Sequence, residues 1–477
     1  MSRAHILNTE HTRPAARPEQ KRNGAGNSPY GRALVLGLGS SGVAAAKLLI
    51  GEGTQVTAVD AADKPDLREI AAELESAGAK VFLGRKTVPD GAFSVCVLSP
   101  GIPADSDWVR GVEARGTEVI SELELGWRRC GSKTLAITGS NGKSTMAKLC
   151  SEALARAGAS TVVAGNYGLP VSRVATERQK PDWLVLEVSS FQLERISQFR
   201  PDVGVVLNVL PNHLDRHGSM DVYLGLKAGI LRNMGGDGTG VVPVDLREKI
   251  GGISPSLRRW STFGGAGEAD YAYVDGKVIC RDRGGPGGGF GEVSFKGTFL
   301  DNEILGLTAA ATVAAVQACG FEAGHVAAAA RDFEQLPHRM QKVADIGGVE
   351  FVDNSKATNI AALSAALRVC KRPVRLIAGG RPKETDFASV KGILASRAVM
   401  VYLIGEAKFV LASAWQDTVH CKLCDNLAEA VGAAWRDARP GETILLAPGC
   451  TSFDQFRNFE ERGERFSELV KSLSKDE

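Results

Sequence analysis

The run Leu135-Ala-Ile-Thr-Gly-Ser-Asn-Gly-Lys-Ser-Thr145 ends as a phosphate-binding loop ends, on Gly142, Lys143 and Ser144. It carries Ile137 where the usual G-x-x-x-x-G-K-[ST] pattern opens on glycine. From Thr138 onward it still offers what a phosphate chain needs. Gly139, Ser140, Asn141 and Gly142 present successive backbone N–H groups, Lys143 an ammonium for the outer phosphates, and Ser144 and Thr145 hydroxyls, the first suited to Mg2+. A chance glycine turn would not need a Lys-Ser pair where a helix starts, so the stretch reads as a nucleotide site.

Other residues could complete such a site. Glu187 ends the apolar run "WLVLE", and a carboxylate there can hold Mg2+; His213, in "NVLPNHLDRHG", follows the next apolar run and could do the same. Arg339 in "LPHR" and Lys356 in "DNSKATN" are two cations able to stabilise charge on a transferring phosphoryl group. Earlier in the chain, Gly37-Leu-Gly-Ser-Ser-Gly42 follows one apolar run, and Asp60 ends the next. That spacing fits a nicotinamide dinucleotide, a nucleotide sugar or a structural turn alike, since amides at a helix start attract any diphosphate.

Three blocks of alternating apolar strands and Ala/Leu-rich helices must position these groups. The first, 31–130, holds "ALVLGLG", "QVTAVD" and "FSVCVLSPG". The second, 131–335, holds "TLAITG", "WLVLEVSS" and "DVGVVLNVL". The third, 336–477, holds "GVEFVDN", "VRLIAGG", "AVMVYLIG" and "ETILLAPGC". Strand–helix–strand order predicts α/β domains with parallel sheets, and 477 residues accommodate three of them. Residues 1–30, rich in Arg, Asn, Pro and Gly, read as a disordered tail, and 235–297 as an irregular glycine-rich stretch with short strands. A net charge of +2 argues against nucleic acid or a membrane surface as partner. The polar first thirty residues and the lack of any apolar run of membrane length predict a cytoplasmic protein. Nine scattered cysteines agree with a reducing compartment, and Cys421 and Cys424 form a lone C-x-x-C with no second pair at ligand spacing.

In this order, these pieces resemble the Mur ligases of peptidoglycan synthesis over about 31–470. The shortened loop T-G-x-N-G-K-[ST] is that family's form, and "SELEL", "GNYGLP", "EVSSFQLE", "LDRHGS", "LPHR", "SKATN" and "APGCTSFDQFRNFEERG" look like its glutamate-adding branch. The resemblance implies an N-terminal Rossmann-like domain for a UDP substrate, a central P-loop ATPase domain and a C-terminal Rossmann-like domain for the amino acid. It also implies a monomer using ATP and Mg2+ to join D-glutamate to UDP-N-acetylmuramoyl-L-alanine through an acyl phosphate. By the same resemblance, Gly139 to Thr145, Arg339 and Lys356 hold ATP, while Ser144, Glu187, His213 and a carbamylated Lys227 hold metal. Gly37, Ser40, Ser41, Gly42, Asp60, Ser99, Gly101 and Asn166 then meet the UDP substrate, and Thr358, Lys383, Ser452 and Phe459 surround the glutamate.

The chain departs from the family pattern at five places. Phe299-Leu-Asp-Asn-Glu303 stands for H-N-x-x-N, so the adenine is expected to meet other residues; Asp353-Asn354 reverses the usual order; Asn212 replaces an Asp; "GGRPKETDF" lacks Asp-Lys-Gly; Gly229 replaces an Arg. The competing readings are a ligase for L-glutamate or another amino acid, and an NAD-dependent oxidoreductase built on Gly37–Gly42.

Overall fold

A computed structural model describes residues 29–281, 291–383 and 385–473. Most of the expected tail, 1–28, and part of the glycine-rich stretch, 282–290, lie outside the described residues. The chain forms three sheets in succession. In the first, five parallel strands lie in the spatial order Lys80–Phe82, Gln55–Val59, Arg32–Leu36, Val95–Leu98, Glu118–Ser121. Ala33 to Leu36 and Val95 to Leu98 are buried throughout, as strands covered by helices on both faces must be.

The central sheet has nine strands, ordered Gly291–Ser294, Lys277–Cys280, Tyr271–Val274, Arg259–Gly264, Thr239–Pro243, Val203–Val206, Lys133–Thr138, Trp183–Glu187, Thr161–Gly165. Seven adjacent strands, from Tyr271–Val274 to Thr161–Gly165, pair in parallel, so Thr138 and Glu187 end on the same edge of the sheet. The helices Lys143–Arg156 and Glu303–Ala318 cover one face, the second through a nearly all-round apolar run in which Ala309, Ala310, Ala311, Val313 and Ala314 are fully buried.

The third sheet runs Gln341–Ile346, Val349–Asp353, Thr443–Leu446, Val374–Gly379, Ala398–Ile404, Cys421–Leu423. Here and in the central sheet, antiparallel hairpins at an edge break the parallel pattern read from the sequence. Two-residue turns at Asp275-Gly276 (φ 48° and 78°) and Gly347-Gly348 (φ 55° and 79°) adopt the left-handed conformations that fold a strand straight back on itself.

The segment "SELEL" joins the first sheet to the second. Ser121 caps helix Glu122–Cys130 by accepting the N–H of Glu124, and the two glutamates after it reach into the central domain. Glu122 accepts the N–H of Ser172 at 2.6 Å, its pKa pushed up to about 7 by burial; Glu124 accepts those of Ser197, Gln198 and Phe199 at 3.0, 2.9 and 3.0 Å. Gly126 lets the helix come close, since a Cβ there would stand 2.5 Å from the Ser172 nitrogen.

Candidate active site

The glycine loop leaves the end of strand Lys133–Thr138 and turns through Gly142, whose φ of 83° favours glycine, into helix Lys143–Arg156. Gly139 passes so close to the neighbouring strand end that a Cβ would meet Leu207 Cβ at 3.1 Å and the Asn208 nitrogen at 3.3 Å. Asn208 fixes the loop's shape. Its Oδ1 accepts the N–H groups of Ser140 and Asn141, both at 3.0 Å, and its Nδ2 donates to the Asn141 carbonyl. Sequence reasoning missed this residue; the signal was an Asn placed where the strand beside the loop ends, in "VVLNVL".

Four side chains meet at the start of the helix. Ser144 Oγ donates to a Glu187 carboxylate oxygen, Asn166 Nδ2 donates to the other at 2.7 Å, and Arg339 Nη2 donates to Ser144 Oγ at 2.6 Å. Asn166, expected among the UDP contacts, thus hangs on the phosphate-loop cluster. Lys143 Nζ donates to the carbonyls of Gly139 at 2.9 Å and Ser140 at 3.1 Å, and Lys227 Nζ to that of Gly139 at 2.9 Å. Lys227 is no surface lysine, being 1 % exposed and 4.4 Å from the centroid of Tyr223. The half-buried Thr145 follows in the first helical turn.

The electrostatics of this cluster are unbalanced. Burial and Arg339 lower the pKa of Lys143, with Glu187 opposing; burial and Lys143 hold Lys227 well below the ordinary lysine value. Lys356 falls to about 8 through burial and then the charge of Arg339. His213 drops to about 3 through burial and the charges of Lys383, Lys143 and Lys227, so its imidazole is neutral near pH 7 with a lone pair to offer. Glu187 keeps its charge: burial would raise its pKa, but Lys143, Ser144 and Asn166 lower it further. Basic side chains from the central and C-terminal parts therefore crowd around one carboxylate, an arrangement that a polyanion would stabilise.

The C-terminal side is held by an unusual linker. His338 and Met340, flanking Arg339, both take left-handed backbone with φ of 60° and 48°. His338 Nδ1 pairs with Asp353 Oδ2 at 2.7 Å, and Asn354 Oδ1 accepts the N–H of Met340 at 3.2 Å. In this chain the reversed Asp353-Asn354 pair thus serves to pin the linker. Lys356 Nζ lies 3.7 Å from the ring centroid of Phe459, and Asn359 Nδ2 donates across to Asn141 Oδ1 at 3.2 Å. Arg462, 1 % exposed, donates to Ser355 Oγ and to the carbonyls of Ser355 and Cys450, which explains the arginine in "NFEERG". It braces the loops carrying half-buried Thr358 and buried Ser452; half-buried Lys383 lies in the loop after strand Val374–Gly379.

At the first sheet, Gly37 (φ 85°) and Gly42 make a turn with no room for side chains: a Cβ on Gly42 would collide with the Gly37 carbonyl oxygen. Ser99 Oγ donates to that carbonyl at 2.9 Å. Both oxygens of Asp60 accept backbone N–H groups, of Leu38 at 2.7 Å and Ala62 at 2.8 Å, so Asp60 shapes the turn. Exposed Ser40, half-buried Ser41 and exposed Gly101 are left facing outward.

The donor pair at Ser144 suits a hard cation. A serine hydroxyl and a charged carboxylate are oxygen ligands such an ion accepts. No group of three or more His, Cys, Asp or Glu at metal spacing occurs among the described residues, so an ion here needs phosphate oxygens to fill its shell. Asn141 Nδ2, Asn212 Oδ1 and Thr138 Oγ1 are buried without a hydrogen-bond partner among the described residues, as groups awaiting a polar ligand would be.

Three α/β sheets in succession, with a glycine loop of the T-G-x-N-G-K-S form leading into a helix, define a multi-domain α/β class of P-loop type. Residues 137–296 match the Mur ligase middle domain, and residues 338–450 the Mur ligase glutamate ligase domain. The UDP-N-acetylmuramoylalanine–D-glutamate ligase of Acidobacterium capsulatum is 36 % identical over 92 % of this chain and 96 % of its own; that of Shouchella clausii is 37 % identical over 93 % and 97 %. Among solved structures, the UDP-N-acetylmuramate–alanine ligase of Thermotoga maritima superposes with a TM-score of 0.59 at 16 % identity, covering 93 % of this chain and all of the other. The MurF ligase of the same organism, in complex with ADP, gives 0.59 at 18 % identity over 89 % and 96 %. The chain belongs to the Mur ligase family, which sets aside the oxidoreductase reading.

Proposed function

We propose that this chain joins D-glutamate to UDP-N-acetylmuramoyl-L-alanine, driven by ATP, in peptidoglycan synthesis. The observation that carries the reading is the excess of cations around Glu187. Lys143, Lys227, Arg339 and Lys356 converge from two parts of the chain on the mouth of an amide-lined loop, and a triphosphate supplies the charge they lack.

In this reading the γ-phosphoryl group passes to the terminal alanyl carboxylate, and the resulting acyl phosphate is attacked by the glutamate amine with loss of phosphate. The carboxylate and amine are unreactive at neutral pH until one oxygen becomes a leaving group. Lys143, Arg339 and Lys356 spread the charge that builds on the moving phosphoryl, and no protein nucleophile is needed. Ser144, Glu187 and His213 would hold Mg2+, which supplies charge neutralisation at the phosphate oxygens. Lys227, its pKa held well below the ordinary lysine value by burial and by Lys143, would take up carbon dioxide as a carbamate and so add an anion.

The doubly wound first sheet would bind the UDP part at Gly37–Gly42 and Ser99–Gly101, and Thr358, Lys383, Ser452 and Phe459 would enclose the glutamate. Mass spectrometry after offering the UDP-sugar precursor, ATP and each glutamate enantiomer tests the assignment. Product with D-glutamate alone is expected; product with L-glutamate instead would correct the amino acid, and no product with either would reject the reaction. Isotopic oxygen in the alanyl carboxylate should appear in the released phosphate.

A further inference from the structure

One short turn of chain, helix Leu214–His217 with His213 at its start, faces two sites at once. His213 stands in the field of Lys383, Lys143 and Lys227. Three residues on, Arg216 leaves the turn toward the first domain. Its Nε and Nη2 donate to the two oxygens of Glu194 at 3.1 and 2.6 Å, and its Nη1 and Nη2 donate to the carbonyls of Pro100 at 3.3 Å and Ile102 at 3.2 Å. Arg195 takes the next alternate carbonyl, that of Ala104, at 2.5 Å and pairs with Glu113 at 2.5 Å. The central domain thus grips the backbone of the first domain at residues 100, 102 and 104.

The gripped segment backs onto the glycine turn. Ser99 Oγ donates to the Gly37 carbonyl at 2.9 Å, and Ile102 Cδ1 lies 3.2 Å from where a Cβ on Gly37 would stand. On its other side, the Arg216 guanidinium lies 4.2 Å from the centroid of Phe191, and that ring meets the His213 ring in an edge contact at 4.9 Å. The N–H of Arg216 also donates to the His213 carbonyl at 3.1 Å. Backbone, guanidinium and aromatic ring therefore form one continuous chain of contact from the 99–104 segment to His213.

We propose that Arg216 is a positioning residue that couples seating of the 99–104 segment on the nucleotide-sugar side to the placement of His213 at the phosphate centre. A planar fork held by four acceptors from two domains has a single geometry. If the segment shifts, the guanidinium must follow or leave two carbonyls unpaired, and either change frees the face of Phe191 against which His213 is set. Lysine cannot substitute, because one ammonium cannot span a bidentate carboxylate and two carbonyls while lying flat on a ring. The inference rests on the ligase reading for the meaning of the two sites, whereas the clamp itself is a matter of contacts.

The test compares the full chain with its Arg216→Lys and Glu194→Gln variants, by hydrogen exchange at residues 99–104 and by kinetics for all three substrates. Arg216→Lys should speed exchange in that segment and raise KM for the UDP-sugar roughly ten- to hundredfold, the scale of lost hydrogen bonds to a charged group. kcat should fall as well, while KM for glutamate stays put. Glu194→Gln, which keeps the shape and removes one charge, should move the same parameters less. Unchanged exchange and unchanged KM for the UDP-sugar in Arg216→Lys would overturn the proposal, as would an equal rise in all three KM values with a lowered melting temperature. Should Arg216→Lys fail to fold, Glu194→Gln decides by the same two outcomes. If the wild-type chain forms no amide, the ligase reading fails, and the exchange comparison still settles whether the clamp exists.

Discussion

Two glycine turns, at 37–42 and 139–144, follow buried parallel strands and open helices, yet their charged surroundings differ. The first has a carboxylate at its centre. Its carboxylate, Asp60, is spent on the backbone N–H groups of Leu38 and Ala62, and its outward groups are serine hydroxyls and amides. The second is braced by an uncharged Asn208 and ringed by Lys143, Lys227, Arg339 and Lys356 around Glu187. Backbone amides at a helix start make either turn hospitable to phosphate, and the charge gathered nearby is what sets the proposed phosphoryl-transfer centre apart from the proposed diphosphate site.

That contrast can be broken most sharply at Lys143. Replacing it by Ala should cut phosphate release from ATP by about a thousandfold or more with substrates present, since the loop loses its own cation; near-normal release would mean that the second turn is no more specialised than the first. Arg339→Ala comes next. It removes the contact to Ser144 from the last domain, and steady-state assays should show kcat lower by roughly a hundredfold with an unchanged circular dichroism spectrum.

Lys356 sharpens the comparison through pH. Its pKa of about 8, lowered by burial and Arg339, leaves it neutral above that value, and a bound triphosphate favours its charged form. ATP binding should then take up a proton near pH 8.5, and KM for ATP should climb by up to about tenfold per pH unit above pH 8. Calorimetry in buffers of different ionisation enthalpy reads the uptake directly; the UDP-sugar should show neither effect. The smallest change is expected at Asp60→Asn, which keeps one acceptor and loses the other. It should weaken UDP-sugar binding only several-fold, about 1 kcal/mol, and leave KM for ATP alone.

The phosphate loop was readable because its residues are contiguous, and one helix start turns their order into geometry. Glu187 was readable for a similar reason, since parallel strands end on a common edge. What escaped were partners distant in the chain. Asn208 braces Ser140 across 68 positions, Glu124 holds Phe199 across 75, and Arg216 reaches Ile102 across 114. Nothing in local periodicity points to such pairs. The antiparallel edges escaped too, although Asp275-Gly276 and Gly347-Gly348 carried the turn chemistry that makes them. Asn166 was visible as a residue of "GNYGLP", but its place beside Glu187 appeared only once strands Thr161–Gly165 and Trp183–Glu187 were paired.

By itself the sequence determined which segments would become strands, turns and helix starts, and which chemical groups stood at their ends, because those follow from side-chain pattern and backbone freedom within a few residues. Only the tertiary structure decided that four basic side chains would share one carboxylate, that Lys227 would be buried, and that Arg339 would arrive from another domain. Charge and burial are sums over neighbours in space, and those neighbours are chosen by packing.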